Sequence, residues 1–141
     1  MKHIAGIIIT VLMAIGSSGF AQESTKEPLK IVFQLSTSDT IAHKALMKQL
    51  GNITSVRPDT KIEVVCHGPG LHLLQKEKTI VGEKVAVFAA KGVTFSACEF
   101  SLKERNVAKE SIIPAAGFVE AGIIHIVTRQ AEGWFYIKSG F

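Results

Sequence analysis

Cysteine is scarce in this 141-residue sequence, and two thiols are too few to staple a disulfide scaffold. Charge of one sign is scarce as well. Sixteen Lys and Arg stand against twelve Asp and Glu, and the basic residues are scattered singly. A net charge of +4 in that arrangement excludes a nucleic-acid surface, so no nucleic-acid partner is expected. Internal repeats and low-complexity tracts are missing, and a hydrophobic content of 47% excludes disorder. There is no G-x-S-x-G elbow for a Ser/His/Asp hydrolase. No Walker A sequence and no G-x-G-x-x-G follows a strand, which removes any specific sign of nucleotide binding. One compact domain remains.

The N-terminus carries a different signal. Lys2 and His3 precede the apolar run Ile4–Ile15, Gly16–Gly19 breaks it, and Gly19-Phe20-Ala21 places small residues at −3 and −1 of a cleavage site. This is the layout of a secretory signal peptide, predicted to be cut after Ala21 and to direct export, with the periplasm as the expected compartment. The apolar core is too short to span a bilayer comfortably, and no later segment approaches that length, so the mature protein has no integral membrane segment. Residues 22–29 read as a flexible polar arm, and residues 30–141 as the folded domain.

Within that domain strands and helices alternate. Lys30–Leu35 and Lys61–Cys66 are apolar, β-branched runs suited to buried strands; Val93–Ala97, Gly117–Val119 and Trp134–Lys138 complete a set of five. Ser38 or Asp39 can cap a helix whose apolar positions are Ile41, Ala42, Ala45, Leu46, Leu50 and Ile53. Val85, Ala86, Phe88 and Ala89 mark a second helix, closed by Lys91-Gly92. Cys98–Arg105 reads as a third, and Ile123, Ile124, Ile126, Val127 and Ala131 give a last helix one apolar stripe. The alternation predicts an α/β fold, a three-layer sandwich around a mainly parallel sheet of about five strands.

Open α/β sheets place their sites at the carboxyl ends of the strands. Two segments stand there: Cys66-His67-Gly68-Pro69-Gly70 and Cys98-Glu99. A thiolate at Cys98 would be steadied by unpaired N–H groups at a helix start, and Glu99 would oppose it. The alternative is a half-buried cysteine acting as a small hydrophobe. Cys66 continues an apolar run and reads as enclosed, with a Cys66–Cys98 disulfide, and so a redox partnership, as the other possibility. The Gly68 and Gly70 loop either makes a tight turn, with Pro69 at an early helical position, or offers N–H groups to an anion. His67 either makes a plain hydrogen bond or adds charge and exchanges a proton. Cys66, His67, His72 and Cys98 match no standard zinc spacing, so neither a metal nor a cofactor is expected.

Three separated stretches, EVVCHGPGLHLL, KGVTFSACEFSLKERN and AGIIHIVTRQAEGWFYIK, together make Lys30–Lys138 resemble the DsrE/DsrF-like family of sulfur-relay proteins. The resemblance implies a small α/β domain that assembles as a trimer or hexamer and carries sulfur on a cysteine. Cys98 falls where this branch has that cysteine, in ACEFSL against a pattern like ACENTL. Two departures stand out: Cys66 occupies a position that is often small and apolar, and the export signal differs from cytoplasmic members. The implied function is to bind or relay sulfane sulfur through a persulfide on Cys98, assisted by His67 and the Gly68–Gly70 loop. A sulfur donor or acceptor protein would be its partner. The alternative is a noncatalytic oligomeric module holding a small anion in the same pocket, with Gly68, Gly70 and Glu99 as ligand contacts.

Overall fold

The structure, a computed structural model, describes residues 27–140. The predicted signal segment and most of the arm lie outside the described residues. Five strands, β1 (Lys30–Leu35), β2 (Lys61–Cys66), β3 (Thr94–Cys98), β4 (Gly117–Val119) and β5 (Phe135–Ser139), form one sheet in the order β4-β3-β2-β1-β5. Every pairing is parallel. The helices are α1 (Thr40–Val56), α2 (Gly82–Ala90), α3 (Glu99–Glu104) and α4 (Gly122–Ala131), with 3₁₀ turns at Gly68–Leu73 and Lys109–Ser111.

Chirality sets the layers. From β1 to β4 the chain steps across the sheet in one direction, so right-handed crossovers drop α1, α2 and α3 on the same face. The return from β4 to β5, beyond β1, runs the other way and places α4 alone on the opposite face. The main core lies on the first side: Phe33, Leu35, Val64 and Phe95 of the strands meet Leu46 and Leu50 of α1, Val85 of α2 and Leu102 of α3. The second core is small, with Val32, Val65 and Ile126 backed by Val119 and Trp134. Each fully buried large side chain contributes about 1.5–3 kcal/mol, so most of the stability resides on the α1/α2 side.

The expected α/β sandwich is the observed fold, with two adjustments of helix orientation. Asp39 caps α1 by accepting the Ile41 N–H, but Ile41 and Ala45 face outward while His43 and Met47 are buried. His43 tolerates burial because its Nε2 lies 2.8 Å from the Thr37 carbonyl. Helix α4 is turned further from expectation. Ile123, Ile124 and Val127 of its apolar stripe are 51%, 66% and 56% exposed, and its inward face carries Ile126 with His125 and Arg129. Those two polar side chains reach the buried Glu63 of β2. Arg129 clamps both carboxylate oxygens, at 2.7 and 2.9 Å, and His125 Nε2 lies 2.8 Å away. A buried carboxylate needs such partners, and meeting that need rotates the helix. Arg129 also lies over the Trp134 ring, 5.1 Å from its centre. Among the described residues, no helix is long and apolar enough to cross a membrane.

Candidate functional site

Cys98 closes β3 as its last residue and caps α3, one position earlier in the fold than a helix start. Its side chain points to the α4 face, where the Gly122 N–H donates to Sγ across 3.2 Å. The thiol therefore sits at the N-terminus of α4, a ten-residue helix whose dipole and unpaired amides favour negative charge. Gly122 permits the approach. A Cβ there would lie 3.2 Å from the Cys98 Cβ, 3.2 Å from Val65 Cγ1 and 3.3 Å from the His67 Cβ.

Around the thiol is an open cleft of about 260 Å³, walled by His67, Cys98, Ser101, Ala121 and Gly122, with Phe100, Glu104 and Ile123 at its rim. Cys98 is only 4% exposed and is reached through this cleft rather than from a convex surface. Half-buried His67 follows β2, and burial lowers its pKa, so the ring is neutral at pH 7. Its Nε2 lies 2.7 Å from Gln34 Nε2 on β1, and the Tyr136 hydroxyl of β5 donates to the other end of the same amide, Gln34 Oε1.

The remaining predicted residues are distributed differently. Cys66 pairs in register with Ala97, so Cys98, one residue on, points to the opposite face of the sheet. Both thiols are free, and joining them would require a strand to slip by one residue. Cys66 lies wholly within the main core, where burial pushes its thiol far up and keeps it protonated. Geometry thus removes Cys66 as a redox partner of Cys98. Glu99 turns away from the cleft and forms an ion pair with Lys109, which also stacks over Phe118 at 5.0 Å. It lines a separate groove with Leu102, Lys103 and Val107.

The glycine loop is occupied by its own structure. Gly68 donates its N–H to Ser101 Oγ at 2.8 Å, and Gly70 donates to the His67 carbonyl at 3.0 Å. Neither amide is left free for an anion in this arrangement. Gly68 has a φ of +52°, and a Cβ on Gly70 would strike the Leu35 carbonyl oxygen at 2.0 Å, so both glycines are demanded by the turn. Among the described residues, no group of three or more His, Cys, Asp or Glu is placed to hold a metal ion.

Sequence reasoning passed over Gly122, Ser101, Gln34 and Tyr136. Ala121-Gly122 before an apolar stripe was a readable helix start, and Ser101 stands one turn after Cys98. Gln34 and Tyr136 left no signal, because their meeting depends on β5 lying beside β1.

The chain matches the DsrE/DsrF-like family over residues 10–138. Among solved structures it is similar to the protein of unknown function MTH1491 from Methanobacterium thermoautotrophicum, with 27% identity, a TM-score of 0.75, and coverage of 78% of this chain and 98% of that one. No curated protein matches it. Because the family match takes in all five strands and the Cys98 cleft together, this chain belongs to the DsrE/DsrF-like family.

Proposed function

We propose that this protein is an exported sulfur carrier that takes up sulfane sulfur on Cys98 as a persulfide. The observation that carries the reading is the Cys98 Sγ held against the Gly122 N–H at the start of α4, inside an open cleft. Only a thiolate attacks sulfane sulfur efficiently, and the Gly122 N–H is placed to donate a hydrogen bond to the sulfur. In the transfer the Cys98 thiolate attacks the terminal sulfur of a donor persulfide. The Sγ–S bond forms, the donor S–S bond breaks, and the leaving thiolate takes the proton that Cys98 gave up. A sulfur atom moves and no net oxidation occurs.

Export rests on the signal-like residues 1–21, and N-terminal sequencing of the exported protein should begin at Gln22. Self-association is supported by α4, which turns Ile123, Ile124 and Val127 outward, and by β5, whose Phe135, Tyr136 and Ile137 are also exposed. Exposed apolar side chains in such number are normally covered by a partner, here a second copy of the chain. The anion-holding module finds less support. Among the described residues no Lys or Arg lines the cleft, its rim carries the carboxylate Glu104, and the loop amides are engaged.

The test is to expose wild type, Cys98→Ser and Cys66→Ser to polysulfide and weigh each intact protein. Wild type and Cys66→Ser should gain mass in steps of one sulfur, and Cys98→Ser should not. Loading retained in Cys98→Ser but lost in Cys66→Ser would reassign the carrier. No loading in any of the three would favour the binding module.

A further inference from the structure

Helix α4 meets the sheet along one stripe, Gly122, His125, Ile126 and Arg129, spaced three and four residues apart. Ile126 is the one large apolar side chain on that stripe, and the core it enters is small: Val32 and Val65, with Val119 and Trp134 at the margin. Ile123, Ile124 and Val127 lie on the exposed side of the helix. Apolar packing alone therefore gives α4 little reason to present this stripe to the sheet. Glu63 of β2, buried beneath the helix, supplies the reason. Arg129 closes on both of its oxygens at 2.7 and 2.9 Å, and His125 Nε2, one turn earlier, lies 2.8 Å from Oε2. A carboxylate accepts and a guanidinium only donates, so the Arg129 pairing can be made in one sense alone.

We infer that Glu63, with Arg129 and His125, is a positioning latch that sets the rotation of α4 and thereby delivers the Gly122 N–H to Cys98. Arg129 stands about two turns beyond Gly122, so a helix latched at Arg129 and His125 presents Gly122 to the same face. The Gly122 N–H then reaches Sγ at 3.2 Å. Turning α4 by one position, about 100°, would carry that amide away and bring Ala121 or Ile123 inward. There is no room for either, since even a Cβ at position 122 would lie 3.2 to 3.3 Å from the Cys98 Cβ, Val65 Cγ1 and the His67 Cβ. None of the three latch residues lines the Cys98 cleft, so they act through the helix and not on the sulfur. A buried ion cluster commonly adds little stability over apolar packing, which leaves orientation as its contribution here. The consequence for sulfur transfer rests on the proposed carrier role of Cys98, whereas the latch itself does not.

The experiment separates position from stability by replacing Glu63 with leucine, which suits the interior of a parallel strand. Arg129 is part-exposed and keeps Glu132 at 2.7 Å, so the change leaves no buried charge alone. Three quantities are read: the urea midpoint, the Gly122 amide resonance in a ¹H–¹⁵N spectrum, and the initial rate of polysulfide loading. Glu63→Leu should be at least as stable as wild type. Its Gly122 amide should nevertheless move to the position seen in Cys98→Ala, and loading should be about tenfold slower, the loss of one hydrogen bond to the sulfur. Glu63→Gln keeps an acceptor oxygen and should fall between the two. Val85→Ala, in the main core on the other face, should lower the midpoint and leave the amide and the rate unchanged. A Gly122 amide unmoved in Glu63→Leu would overturn the latch, and so would loading slowed equally in Val85→Ala. If Glu63→Leu does not fold, an unmoved amide in Glu63→Gln overturns it instead. A moved amide with undiminished loading would overturn the link to sulfur transfer. Wild type that takes up no sulfur would sink the carrier reading, and the amide shift would still decide the latch.

Discussion

Substituting Gly122 by alanine should separate the helix from the thiol it serves. The added methyl would meet the Cys98 Cβ, Val65 Cγ1 and the His67 Cβ at 3.2, 3.2 and 3.3 Å together, each tighter than ordinary contact. Val65 and Cys98 are buried and have little room to yield, so α4 must lift by a few tenths of an ångström. Overpacking of this kind costs about 1–3 kcal/mol. Replacing a helical glycine by alanine returns up to about 1 kcal/mol, less at the first turn than in the interior. The net loss should be about 1–2 kcal/mol, read as a fall of roughly 1 M in the urea midpoint at fixed protein concentration. Lifting α4 also lengthens the 3.2 Å contact from the Gly122 N–H to Sγ, and sulfur loading should slow with it. Urea unfolding and timed mass spectrometry on the same preparation give both numbers. A variant as stable as wild type that loads sulfur at the same rate would refute the claim that close approach of α4 prepares Cys98.

Gly70→Ala should be far more damaging, because its Cβ would lie 2.0 Å from the Leu35 carbonyl oxygen, and backbone cannot step aside as a side chain does. A loss above about 3 kcal/mol is expected, seen as a depressed melting temperature or insoluble protein. Stability should also fall with acid. The folded-state pKa of His67 lies below its ordinary 6.5, so below that value the unfolded chain binds the extra proton and is favoured as pH drops. His72 acts in the same direction, lowered first by burial and then by Lys78, Arg105 and His43. Urea midpoints at about pH 5 and pH 7.5 should therefore differ less in His67→Gln than in wild type, and an equal difference would remove His67 from the effect. Light scattering at micromolar concentration should show an oligomer that Ile124→Asp with Val127→Asp reduces to monomer, since both side chains lie on the exposed face of α4. Monomeric wild type would contradict the proposed association.

Local pattern carried much of the fold. Runs such as Lys30–Leu35 and Lys61–Cys66 announce buried strands because a parallel sheet is apolar on both faces, and the intervening 3.6-residue periodicity announces helices. The place of Cys98 at a strand end was legible for the same reason. Periodicity, however, tells how apolar residues are spaced along a helix and not which way the helix is turned. His43 is buried on α1 because Thr37 satisfies its ring, and α4 turns Ile123 and Ile124 outward because Glu63 needs Arg129 and His125. Thr37 lies just before α1, but nothing local to α4 specifies Glu63 as its partner. Strand order is likewise absent from any one segment, since it follows from crossover handedness acting on the whole chain. That order alone brings Tyr136 to Gln34 across 102 residues of sequence and lays Gly122 against Cys98. The sequence by itself determined the strands, the helices and the cysteine at the strand end. The tertiary structure decided which helix start that cysteine faces, which partners engage the glycine amides and which strand brings Gln34 to His67, because each depends on through-space distances that close only when the sheet is assembled.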